Sequence, residues 1–200
     1  PGTDDSDSAG TFNKGYAQLT DAGSSADAGI YWGRWDKPRQ GNGIGVGVSP
    51  ASNSHVMYST HVTSAAELSA LQAAASGPNA NPQIVNATYN YVGGTSPTRS
   101  DGAVGQVNSM TVKANFSSQM ITGYDVNLQF GNNGAAQVWD AHLDPAKASS
   151  ATFANFTATG PSANGASGIG LAGTCTNCSN GTSVDGSARG LFTGNDARGL

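Results

Sequence analysis

Hydrophobic and polar positions alternate most clearly between Val104 and Phe130. Met110, Val112, Ala114 and Phe116 alternate with Ser109, Thr111, Lys113 and Asn115. After Ser117-Ser118-Gln119 the pattern resumes, with Met120, Thr122, Tyr124, Val126, Leu128 and Phe130 on one side and Gly123, Asp125, Asn127 and Gln129 on the other. A period of two puts successive side chains on opposite faces of a strand, so two such runs about a short polar turn predict an antiparallel hairpin with one wet and one buried face.

The same reading predicts further strands at Ile30–Trp35, Gly43–Val48, His55–Val62, Ile84–Val92, Ala135–Leu143, Thr152–Thr159, Ser167–Thr174 and Ser187–Thr193. Phe12–Leu19 forms a short strand on this reading, while Asp21–Ala28 has the composition of a linker. One helix is expected. Ser64 followed three residues later by Glu67 is a capping box, Ala65–Ser76 is built of good helix formers, and Gly77-Pro78 supplies the stop. The expected fold is all-β: an antiparallel, about eight-stranded β-barrel with one short helix over residues 30–200, preceded by an extended N-terminal arm over residues 1–29.

Composition supports short strands and tight turns, with 28 Gly and only 11% charged residues. The formal net charge of −4 and the absence of a basic cluster argue against a nucleic-acid partner, and no apolar run approaches the roughly 20 residues of a membrane-spanning helix. The chain opens Pro1-Gly2, as a processed product would, and its polar, lysine-poor composition with paired cysteines points to an extracellular or cell-surface location.

Several stretches resemble one bacterial family: the β-barrel at the C-terminus of transferrin-binding-protein-like surface lipoproteins, also found at the C-terminus of iron-sensor-type proteins. They are Ile30-Tyr31-Trp32-Gly33-Arg34-Trp35, Ala87–Thr95, Gly105–Phe116 and Gly190-Leu191-Phe192-Thr193-Gly194-Asn195-Asp196-Ala197-Arg198-Gly199. The last resembles the family's Gly-x-Phe-x-Gly-x-x-Ala turn. The resemblance spans most of residues 30–200 and implies an eight-stranded, non-catalytic barrel at the cell surface. In the family one more strand follows that turn and closes the barrel; here the sequence stops at Leu200. An incomplete barrel offers unpaired edges that accept an extended segment. The arm, with Phe12, Tyr16 and Leu19 as its anchors, is the expected donor, either to its own chain or to another copy, and head-to-tail donation builds a filament. A surface module that binds a host or nutrient protein is the alternative.

Sites of chemistry are few. Cys175-Thr176-Asn177-Cys178 reads as a local disulfide in a polar turn, with free thiols or a metal or redox role as alternatives; no second Cys pair completes a zinc set. His55 and His61 lie about 20 Å apart along an extended strand and cannot share an ion, and His142 stands apart. No Gly-x-Ser-x-Gly elbow is present, and a carboxylate pair for glycoside hydrolysis drawn from Asp125, Asp140 and Asp144 finds no support, since Asp125 lies on the polar face of the hairpin. Glu67, the one glutamate, is explained by the capping box. No enzyme, cofactor or metal is therefore expected. Tyr31, Trp32, Trp35 and Trp139 are candidates for an aromatic interface, with Tyr31 and Trp32 on opposite faces of their strand.

Overall fold

A computed structural model describes residues 12–13, 18–36, 39–40, 53–78, 80–131, 136–157, 168–179 and 181–200. In chain order the strands are β1 (Phe12–Asn13), β2 (Gln18–Ser25), β3 (Ile30–Asp36), β4 (Arg39–Gln40), β5 (Asn53–Ser59), β6 (Asn86–Asn90), β7 (Gly105–Asn115), β8 (Met120–Phe130), β9 (Gln137–Leu143), β10 (Ile169–Thr176) and β11 (Ser183–Ala188). Three helices, α1 (Ala65–Ala75), α2 (Pro82–Val85) and α3 (Phe153–Thr157), stand where one was expected.

The chain is predominantly β. Its strands form a six-stranded antiparallel meander in the order β11-β10-β9-β8-β7-β6 and a three-stranded antiparallel sheet in the order β2-β3-β5; β1 pairs with β4 over two residues. No closed barrel exists among the described residues, because β5 pairs with β3 alone and β6 with β7 alone. Between β5 and the stretch after β6 there is no ladder; at one point of that seam His55 bonds the hydroxyls of Thr95 and Thr98.

The hairpin of β7 and β8 is the one the alternation predicts, with register shifts at Asn108 and at Thr122. The register steps from Lys113↔Gly123 to Ala114↔Ile121, leaving Thr122 as a bulge. A bulge shifts the alternation by one place. Ile121 is therefore buried and Thr122 exposed, the reverse of the strict period. Gln119 closes the turn with φ 53°.

The core lies on the inner face of the large sheet. Phe192 is its centre, with ring centroids of Phe153, Phe116, Tyr89 and Phe156 at 4.6, 5.6, 6.0 and 6.3 Å. Phe153 and Phe156 come from α3, so the described part of the strand expected over Thr152–Thr159 is a helical turn at residues 153–157. An apolar spacing of three serves a helix, and both rings reach the core from one face. Helix α1 covers the end of this core with Leu68, Leu71 and Ala75, and its capping box is formed by Ser64 and Glu67. No helix among the described residues is long and apolar enough to cross a membrane.

Asp21–Ala28 is not a linker. Residues 18–25 form β2, a hairpin partner of β3, so the expected arm of residues 1–29 contains an integral strand of the small sheet. The strand expected over Gly43–Val48 lies outside the described residues.

Candidate functional site

Alternation along β3 gives the small sheet two distinct faces. Ile30, Trp32 and Arg34 share the inner face, which looks toward the large sheet; Tyr31, Gly33 and Trp35 share the outer one. Register sets their neighbours: Trp32 lies between Gly23 and Met57, and Arg34 between Asp21 and His55. A bulge at Thr20 turns Asp21 inward, since Leu19 is opposite Trp35 and Asp21 opposite Arg34.

Trp32 needs its glycines. A Cβ at Gly23 or at Gly93 would stand 2.7 or 2.5 Å from the indole ring. The two glycines let the ring be clasped between β2 and the segment after β6.

Beside the indole is a polar cluster centred on a buried arginine. Arg34 is 7% exposed, and its Nε donates to Asp21 Oδ2 at 2.6 Å while Nη1 donates to Asn53 Oδ1 at 2.8 Å. The Ser96 amide also donates to Asp21 Oδ2, at 3.0 Å. His55 Nδ1 and Nε2 lie 2.7 and 3.0 Å from the hydroxyls of Thr95 and Thr98. Burial opposes the Asp21 charge, yet the Arg34 and Ser96 hydrogen bonds hold its carboxyl below the usual range. Burial, and then the nearby Arg34 charge, depress the His55 pKa. Together these contacts fasten the loop between β6 and β7 to the small sheet.

Between the fastened loop and β5 a slot of about 380 Å³ opens. Its floor comes from both sheets, including Ile30, Trp32, Tyr89, Met110, Val112 and Tyr124. Its rim is apolar and wet: Met57 is 66% and Val92 76% exposed, and Val56, Tyr91 and Leu191 are exposed as well. His55 closes one end. At the other, Thr63 N–H donates to Phe192 O at 2.8 Å and Gly194 N–H to His61 O at 2.9 Å, tying the strand beyond β5 to the terminal Gly-x-Phe-x-Gly segment.

The residues expected to act as a strand donor are not brought together. Phe12 is in the two-residue β1, Tyr16 lies outside the described residues, and Leu19 belongs to β2, where it is 54% exposed on the outer face. The aromatic quartet is also divided. Tyr31 stacks on Tyr58 with centroids 5.0 Å apart on the outer face, which Trp35 shares, while Trp32 faces inward. Trp139 belongs to the other sheet, packed edge-on against Phe130 at 6.1 Å. Its Nε1 is buried without a protein partner among the described residues.

Cys175 and Cys178 lie at disulfide distance, with Cα atoms 5.8 Å apart, at the turn leaving β10. His61 bonds Glu67, well separated from the contacts of His55. Asp144 caps the following turn through Ala146 N, and Asp125 and Asp140 face solvent. The sequence reading did not single out Arg34, Asp21, Met57 or Val92. Arg34 carried a signal nonetheless: the alternation of β3 puts a charge on the face of Ile30 and Trp32, where it needs a partner. Searches of family models, curated proteins and solved structures found no match to this chain.

Proposed function

We propose that this chain is a non-enzymatic, extracellular structural subunit that associates with copies of itself by β-strand complementation. The unpaired edge of β5, bordered by the apolar slot, is the observation that carries this reading. A long edge rimmed by exposed apolar side chains is an aggregation hazard in a monomer and an asset in a subunit. The resemblance to transferrin-binding-protein-like barrels fits this reading in so far as an unpaired sheet edge accepts an extended segment. The disulfide-distance cysteines fit an oxidising compartment.

A second reading, a surface module for a host or nutrient protein, draws support from the outer face, where Leu19, Tyr31, Val56 and Tyr58 are all exposed. Light scattering coupled to size exclusion, with negative-stain microscopy, separates the two. Full-length chain forms oligomers or filaments on the first reading, and Phe12→Ser with Tyr16→Ser reduces them to monomer. A wild-type chain that stays monomeric at every concentration rules the first reading out.

A further inference from the structure

We infer that the slot beside β5 is the acceptor, and that its occupant is the segment around Phe12–Tyr16 of a second copy. This rests on the strand-complementation reading and assigns its two halves to named residues.

Length supports the pairing. The stretch of β5 between the closed ends runs from His55 to Ser59, four residue steps, or about 13 Å along a strand. Phe12 and Tyr16 are also four steps apart and project from the same side of a strand, with Lys14 between them. A strand laid along β5 can therefore present both rings to the slot while its main chain bonds the free edge.

Charge agrees. No Asp or Glu is found among the described residues that line the slot, whose ionisable side chains include Arg189 and His55. Residues 1–17 carry Asp4, Asp5 and Asp7 against a single Lys14. The acidic stretch before Phe12 thus flanks a groove lined by no carboxylate side chain, and Lys14 is the one charge within Phe12–Tyr16 itself.

Reach decides between a second copy and the chain's own segment. In the order β2-β3-β5, the far side of β5 lies about three strand spacings, roughly 14 Å, from β2. Tyr16 is two residues before Gln18 and extends only about 7 Å from it. The chain's own Tyr16 falls short of its own slot. Donation to another copy exchanges the two-residue pairing of Phe12–Asn13 with Arg39–Gln40 for the longer edge of β5.

The test mixes two single variants of the full chain, Tyr16→Cys and Met57→Cys, under mild oxidation. The expected result is a disulfide-linked heterodimer on a non-reducing gel, absent when Met57→Cys is replaced by the outer-face control Tyr58→Cys. Met57 is largely exposed, so Met57→Glu should keep the wild-type circular dichroism while association is lost. Oligomers that persist in Met57→Glu, or that form without the cross-link, place the acceptor elsewhere and leave strand complementation standing. A fast-migrating, internally linked monomer from the double variant Tyr16→Cys/Met57→Cys shows self-occupancy and overturns the inference. Failure of the wild type to associate removes both readings. A small apolar ligand that co-purifies and blocks the Met57 cross-link also overturns it, by giving the slot a different occupant.

Discussion

The two sheets solve the problem of burial in opposite ways. In the large sheet the inner face closes over phenylalanines from a hairpin, a helical turn and the terminal segment, and Phe192, Phe156, Ile121, Ile169 and Val112 are almost fully shielded. In the small sheet the most deeply buried inner-face side chains include a guanidinium, while Val56, Met57 and Tyr58 stand in water. A sheet that buries a guanidinium while leaving these apolar side chains in water does not maximise its own stability. On the proposed reading, burial there is completed when another chain arrives, with the large sheet as scaffold and the small one as interface.

Substitutions should divide along that line. The largest effect is expected in the scaffold: Phe192→Ala empties the centre of the ring cluster and should cost about 3–5 kcal/mol in urea unfolding, enough to unfold much of the population. An effect below about 1 kcal/mol would mean that the ring cluster is not the core.

In the small sheet Asp21→Ala leaves Arg34 buried beside no carboxylate and should cost about 2 kcal/mol, reduced from a fully buried pair because Asp21 is partly open to water. Adding Arg34→Met to Asp21→Ala should recover part of that loss. Failure to recover any would show that the pair is not what holds the sheet.

Acid is a milder probe of the same cluster. The His55 pKa is depressed in the folded chain from 6.5, so the unfolded chain binds the extra proton first and stability falls as pH drops below about 6.5. The Asp21 contribution is present above 3.8 and is lost only as pH falls through its lower folded value. The protection factor of the Ser96 amide, its exchange rate relative to the intrinsic rate at each pH, should therefore fall between pH 7 and pH 5, and His55→Gln should flatten that dependence. The phenylalanine cluster, which contains no group titrating there, should keep its protection until the whole fold opens.

The smallest effect on stability is expected on the outer face. Tyr58→Ser removes one side of the Tyr31 stack and should change unfolding by no more than about 0.5 kcal/mol. Solubility at high concentration should rise instead. A large stability loss would make that face part of the fold rather than a surface for partners.

How far the sequence foretold these regions follows from how local their causes are. The β7–β8 hairpin and helix α1 are legible because alternation and the Ser64–Glu67 box act over a few residues. Ile121 escaped because a bulge at Thr122 shifts the period, and a bulge leaves no mark in composition. Residues 153–157 read as strand because a short apolar run with Thr at both ends has no unambiguous period. For β2 the cause is distant: Gly23 and Asp21 look like linker residues until Trp32 and Arg34 are seen across from them. The slot left no local mark in the sequence, since its lining is gathered from β2, β3, β5, β6, β7, β8, α3 and the terminal segment.

Order of synthesis adds a last consequence. Tyr89 donates its hydroxyl to Ala197 O across 108 residues, and Thr63 to Gly194 O across 131. On the ribosome, strands β2 to β11 all emerge before the ring of Phe192 can seat among them. Until then the nascent chain holds its phenylalanines without a keystone, so the core closes late in synthesis.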